Sequence, residues 1–184
     1  MSAIRKRVFS ELLLAYKPDK QIREVLSYEQ PTRYIVVDTE YSNDRNLIPV
    51  LTANKAFILG YTGETSGVYR KGECIILDDF TLDCKIVDFP FKVKSSAIKI
   101  LIAKPGINLR YMFEYLKYLE LDTAEHKRHY IAEIEPIEIV IPSNEEMNNI
   151  AQAFNMLDKR CEMAHRSLLI YQREKQYLLR QMFI

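Results

Sequence analysis

Apolar side chains recur at steps of three and four along the last forty residues: Met147, Ile150, Phe154, Leu157, Cys161, Ala164, Leu168, Tyr171, Lys175, Leu178 and Met182. That is a heptad seam held for about five heptads with no Pro or Gly to break it, and it predicts a coiled-coil helix. Ser143 as N-cap and Glu146 three residues later form the capping box that starts it. Lys175 is the single charge in the seam, and Cys161 and Ala164 are small; such positions set register or partner. A helix packed along its own domain is the plainer alternative, but this seam outruns a domain of roughly 140 residues. Leu169, Ile170 and Leu179 add apolar surface on flanking faces, where an N-terminal helix is a candidate to pack.

Upstream the period changes twice. Residues 3–16 carry Ile4, Val8, Phe9, Leu12, Leu13 and Tyr16 at helical spacing, and Pro18 ends that helix; a second short helix is expected over 20–28, closed by Pro31. From 33 to 103 short β-rich runs follow, at 33–38, 47–52, 55–61, 68–70, 73–77, 85–89, 91–94 and 98–103. Turn formers such as Asn43-Asp44, Gly63, Lys71-Gly72, Asp78-Asp79 and Pro105-Gly106 separate them. Residues 108–121 turn helical, and 137–141 alternate as a last strand before Pro142. The expected class is α+β: a small globular domain with a twisted β-sheet or partial barrel and short helices, followed by a long C-terminal coiled-coil helix. Its parts are an N-terminal amphipathic helix (1–18), a globular domain (19–142) and the helical rod (143–184).

Composition changes this picture little. Of 184 residues, 48% are hydrophobic and 28% charged in both signs, which fits a folded protein with a core. A net charge of +1 is low for an independent DNA binder, so any such role needs locally placed cations or a partner that supplies most of the grip. Cys74, Cys84 and Cys161 form no CxxC pair and read as reduced, buried thiols; with no cysteine close to His126 and His129, no metal site is expected. No signal peptide or membrane span is read, and the cytoplasm is the expected compartment.

Two stretches together resemble a known family. The start of the rod reads Ile141-Pro-Ser-Asn-Glu-Glu-Met-Asn-Asn-Ile-Ala-Gln-Ala-Phe-Asn-Met-Leu-Asp158 and its end reads Leu178-Leu-Arg-Gln-Met-Phe183. Both are similar to the helical spacer of type I restriction–modification specificity subunits, with Met147 standing where that family usually has Gln. Tyr28-Glu-Gln-Pro-Thr-Arg-Tyr-Ile-Val36, Thr52-Ala-Asn-Lys-Ala-Phe-Ile-Leu-Gly-Tyr-Thr62, Asp79-Phe-Thr81 and Asp88-Phe-Pro-Phe-Lys-Val-Lys-Ser-Ser-Ala97 resemble one group of its target-recognition domains. A full-length subunit has two such units in tandem and this chain has one, so it resembles the half-length form.

The resemblance implies a DNA-reading subunit without catalysis of its own. Its implied partners are double-stranded DNA, methyltransferase subunits and a restriction subunit, with S-adenosylmethionine, ATP and magnesium on those partners and no cofactor here. It also implies pairing of the rod with itself as an antiparallel coiled coil, or with another specificity half, through the eleven seam residues. Candidate DNA contacts are Tyr61, Thr62, Glu64, Thr65, Ser66, Tyr69, Arg70 and Lys71, which combine hydroxyls, a carboxylate able to accept from cytosine, and two cations. The run His126, Lys127, Arg128 and His129 is a second candidate, and Lys92 and Lys94, alternating with Phe91 and Val93, are a third. Without the family, the first stretch is also readable as a turn between strands and the second as a solvated loop.

Two rivals come from other classes. Asp78 or Asp79 with Asp83-Cys84-Lys85 resembles the two-carboxylate-plus-lysine pattern of a small magnesium-dependent nuclease, though the pattern is short and a third acid is not evident. The other is a coiled-coil interaction protein unrelated to DNA. A methyltransferase is disfavoured because the chain has neither an Asn/Asp-Pro-Pro-Tyr/Phe motif nor a Gly-rich cofactor loop.

Overall fold

In the computed structural model residues 1–52, 56–121 and 130–182 are described. Helix α1 (Ser2–Ala15) buries Phe9 and Leu12 and stops ahead of Pro18. Strand β1 (Lys20–Gln21) pairs antiparallel with β9 (Glu138–Ile139), which brings both ends of the globular part together. The helix expected over 20–28 shrinks to one turn, α2 (Ile22–Val25), and the rest becomes β2 (Leu26–Glu29). Long-range pairing overrides local periodicity here: β2 finds an antiparallel edge on β8 (Ile98–Ala103), with Leu26 opposite Ala103. The strand expected over 33–38 is replaced by a 3₁₀ turn, Pro31–Tyr34, whose first φ proline pre-sets, and a single bridge from Ile35 to Val93.

The remaining strands are β3 (Ile48–Leu51), β4 (Ile58–Thr62), β5 (Cys74–Asp78), β6 (Cys84–Val87) and β7 (Lys92–Val93). With β2 and β8 they form a four-stranded sheet in the order β2-β8-β5-β6 and a three-stranded sheet in the order β4-β3-β7, and among the described residues the strands do not close into a barrel. The expected run at 68–70 is reduced to one bridge, Tyr69 to Phe91.

The larger sheet separates two cores. Alternation along β5 and β8 sends Ile75, Leu77 and Leu101 to a helical side, where they meet Phe9, Met112 and Phe154. The same alternation sends Cys74, Ile76, Ile98 and Ile100 to the other side, against Leu51, Tyr69, Phe91 and Val93. Helix α3 (Leu109–Tyr118) covers the first side; Asn108 caps it by accepting from the Tyr111 amide at 3.0 Å.

Helix α4 (Asn144–Met182) begins on this helical side. The expected capping box is present: Ser143 Oγ accepts from the Glu146 amide at 3.2 Å, and Glu146 accepts from the Ser143 amide at 3.3 Å. Met147, Ala151 and Phe154 are buried, with Phe154 stacked on Phe9 at 6.4 Å between centroids. Ile150 and Leu157 are half-buried against the same core. Residues 158–182 are all exposed, including Cys161, Ala164, Leu168, Tyr171, Lys175, Leu178 and Met182.

The unbroken seam therefore has two occupants. Met147, Ile150, Phe154 and Leu157, expected at a dimer interface, face their own domain, because α1 and α3 supply the apolar surface nearest the start of the helix. Leu169, Ile170 and Leu179 are exposed, since α1 packs at the base of α4 and not along it.

A buried carboxylate fixes that junction. Glu114 of α3 has no exposed surface; it accepts from Arg5 Nε of α1 at 2.7 Å and from Arg110, which also binds Asp158 of α4. Tyr16 at the end of α1 donates its hydroxyl to Glu146 at 2.9 Å. Glu114→Ala leaves two guanidinium groups facing an apolar core, so it should cost about 3–5 kcal/mol in urea unfolding, against under about 1 kcal/mol for the exposed pair partner Glu162→Ala.

Candidate nucleic-acid interface

The polar stretch after β4 is built as a fastened loop. Thr62, buried at the strand end, accepts the Glu64 amide at 3.2 Å, and this bends the chain at Gly63. The Glu64 carboxylate then turns inward: one oxygen accepts both the Val37 and Asp38 amides at 2.9 Å, and the other meets Lys92 Nζ at 2.7 Å. Lys92 is itself buried and donates to the Ser66 carbonyl at 2.8 Å. At Gly67 the chain takes a φ of +60° and passes so close to the Arg33 carbonyl that an added Cβ would lie 2.6 Å from it. Glycine is required twice over at that point.

The sequence-derived candidates divide accordingly. Thr65, Ser66 and Arg70 are exposed, as is Lys94. Tyr61 is half-buried, and its backbone exchanges two hydrogen bonds with Ser42. Glu64, expected as a carboxylate for cytosine, is occupied by two amides and an ammonium group. Lys92 does alternate with Phe91 and Val93, but the face it reaches is covered by the loop at Ser66, so it points at protein. Tyr69 is 1% exposed and stacks on Phe91 at 4.8 Å, which removes it as a surface contact.

Lys71 is exposed but committed. It donates to both oxygens of Glu29 at 2.7 and 2.8 Å, and the Tyr34 hydroxyl donates to the same carboxylate at 2.6 Å. Burial pushes the Glu29 carboxyl up, and the bonds from Lys71 and Tyr34 outweigh it and hold the group below its ordinary range. His126, Lys127, Arg128 and His129 lie outside the described residues.

Neither the Val37–Asp38 turn nor Glu29 is recognisable from the sequence. Val37 and Glu64 are 27 residues apart, and no periodicity links a turn amide to a distant carboxylate.

The carboxylates of the nuclease pattern serve the fold individually. Asp78 accepts from the Phe80 and Thr81 amides at 2.8 and 3.2 Å. Asp79, 1% exposed, accepts from the Tyr130 amide at 3.0 Å and faces Lys99 Nζ at 3.4 Å. Asp83 accepts from Lys117 at 2.6 Å, and Lys85 lies over the Phe57 ring at 4.6 Å. Among the described residues no group of three or more His, Cys, Asp or Glu side chains is placed to hold a metal ion. Cys74 and Cys84 are buried, as expected, and burial pushes both thiols up to about 12; Cys161, expected to be buried as well, is instead exposed on α4, where among the described residues no other element covers it.

The bond from Lys92 and the Asp38 and Val37 amides hold the Glu64 carboxyl below its ordinary value of 4.5. A carboxyl depressed by folding stabilises the native loop above the unfolded value and stops doing so as pH falls through the folded one. The Val37 and Asp38 amide resonances should therefore hold constant down to about pH 4.5 and titrate below it, and in Glu64→Gln this acid-side step should vanish.

No family model matches the chain. The "Type I restriction enzyme EcoR124I/EcoR124II specificity subunit" of Escherichia coli is 42% identical over 165 residues, covering 84% of this chain and 41% of that protein. The chain thus spans less than half the length of the curated relative. Among solved structures, the type I restriction–modification S subunit from M. genitalium matches with a TM-score of 0.65 at 11% identity, over 91% of this chain and 48% of that one. The HsdS subunit from Thermoanaerobacter tengcongensis matches with a TM-score of 0.55 at 14% identity, over 90% and 47%. A chain from a study of assembly and conformational transition in the type I R-M system matches at 0.53 and 13%, over 96% and 51%. These structural likenesses establish a shared fold, the α+β domain with its long C-terminal helix. At 42% identity over 84% of this chain, the sequence similarity adds relatedness to shape: the chain is similar to part of a type I restriction enzyme specificity subunit, 41% of whose length it spans.

Proposed function

We propose that this chain reads one part of a bipartite DNA target and positions the subunits that modify or cut it, with no chemistry of its own. The observation that carries this is the 42% identity over 165 aligned residues, which take in 84% of this chain. The exposed Thr65, Ser66, Arg70 and Lys94 offer hydroxyl and cationic donors suited to base edges and phosphates. A net charge of +1 fits a reader whose partners supply most of the grip on the phosphates. Methyltransferase and restriction subunits are the proposed partners; S-adenosylmethionine, ATP and magnesium belong to them, and the cytoplasm is the compartment. Among the described residues no helix is long and apolar enough to cross a membrane.

The rod is the proposed pairing element, through the distal half of the seam alone: Cys161, Ala164, Leu168, Tyr171, Lys175, Leu178 and Met182. Leu168 and Tyr171 are 52% and 67% exposed, more than a lone helix in water supports, and an antiparallel partner copy or another specificity half would cover them. A two-fold axis across the rod would set two reading domains at opposite ends. The whole 39-residue helix measures roughly 58 Å, or about 17 base pairs, and the part beyond Leu157 roughly 38 Å, or about 11.

Methylation mapping in cells that carry this chain with a type I methyltransferase subunit should reveal an interrupted inverted repeat; an asymmetric site would refute pairing with itself, and no modified site would refute the DNA reading. Leu168→Asp, on the exposed half of the rod, should abolish dimers in analytical ultracentrifugation and leave the melting temperature of the globular domain unchanged.

A further inference from the structure

We propose that Glu64, partly exposed, and the buried Lys92 form a positioning clamp that joins two loops, at 36–38 and 62–67, into one base-reading surface with Val37 as an apolar reader. This rests on the DNA-reading function proposed above, recasts Glu64 and Lys92 as a support, and adds Val37, which the sequence pattern did not indicate.

The pair is costly for a loop anchor. Lys92 Nζ sits beneath the backbone with its side chain 3% exposed, so its lost hydration has to be replaced by Glu64 and the Ser66 carbonyl. An apolar side chain filling that space would hold the fold about as well, because a buried ion pair replaced by well-packed hydrophobic groups is often neutral or stabilising. What an apolar replacement cannot do is fix direction. Glu64 accepts two successive amides through one oxygen and the ammonium group through the other, and Lys92 reaches on to the carbonyl of Ser66. Five groups from three segments are thereby held in one arrangement, and Gly67 lets the loop close onto the Arg33 backbone.

The arrangement has an outward consequence. The clamped amides belong to the turn that raises Val37, which is 87% exposed on an otherwise polar segment, Asp38, Thr39 and Glu40 being exposed beside it. A β-branched aliphatic residue has nothing to gain from water, and its backbone here is pinned where a surface loop would normally move. Across the clamp, Thr65 and Ser66 present hydroxyls on the same assembly. An apolar contact beside hydroxyl donors and acceptors is the chemistry that meets a thymine methyl group next to base-edge polar atoms in the major groove.

The test uses the full chain with its methyltransferase partner and two duplexes: one carrying the site mapped for the wild type, the other a scrambled sequence of the same composition. For Lys92→Met combined with Glu64→Met, the melting temperature should stay close to wild type, while affinity for the site duplex falls roughly tenfold or more, the order of one lost base contact, and affinity for the scrambled duplex holds. A double variant that keeps its preference, or loses both duplexes in parallel, overturns the clamp; so does one that no longer folds, because the pair is then a stability element. Val37→Ser, fully on the surface, should leave melting unchanged and relax the mapped site at one position; an unaltered site overturns the reader role. A wild type that binds both duplexes equally overturns the DNA reading and this inference with it, whereas a discriminating wild type confines any failure to the clamp.

Discussion

Glu114 decides where the rod points. Its carboxylate lies in the apolar region between α1, α3 and α4, and both of its oxygens are taken, one by Arg5 and the other by Arg110. Arg110 spans the gap to Asp158, one residue past the last half-buried position of the seam. Hydrophobic contact alone, Phe9 against Phe154 and Met147 in the core, would tolerate sliding or rotation of α4 by a few degrees. A guanidinium nitrogen shared between a buried acid and the first exposed turn does not. The helix is thus docked by apolar burial and aimed by charge.

The second core repeats this division at the other end of the domain. Tyr69, Phe91 and Val93 supply the packing between the two sheets, and the Glu64–Lys92 pair and the Lys71–Glu29–Tyr34 group hold loops at the rim. Because β5 and β8 alternate between the two cores, the loops and the rod are mounted on opposite faces of one four-stranded sheet. Neither core can shift without moving side chains that interleave along the same two strands. The loops and the rod are mechanically one body for that reason.

Much of this was legible because it is periodic or local. The seam from Met147 to Met182, the Ser143–Glu146 box, the turn at Pro105-Gly106 and the β-rich runs that became β5 and β8 all carry their signal within a few residues. What was not legible depends on who covers a face. Ile22, Val25 and Leu26 mimic a helix, yet Leu26–Glu29 pairs with a strand more than seventy residues away. Lys92 was correctly placed opposite Phe91 and Val93, and still misread as a surface cation, because alternation gives the side of a sheet and not what lies on it. The seam likewise shows that a face is apolar but not whose surface it meets: Phe154 and Leu168 are equivalent by spacing, and one is in the core while the other is bare.

Each charge cluster has one buried member, Glu114 or Lys92, and its directional bonds define an angle that apolar filling would not. Apolar replacements could fill either site, as buried ion pairs commonly contribute little over well-packed hydrophobic side chains. The function proposed above, comparison of two half-sites across a fixed gap, would impose a different requirement. Over the roughly 38 Å of rod beyond Leu157, a tilt of about 10° displaces the far end by about 7 Å, or roughly two base pairs. Packing that is merely tight leaves that freedom open, and on the proposed function a rod that wavers by two base pairs could not set a gap. Directional bonds at the root of the helix, and again beneath the loops, remove it at the two points where small angular errors are amplified most.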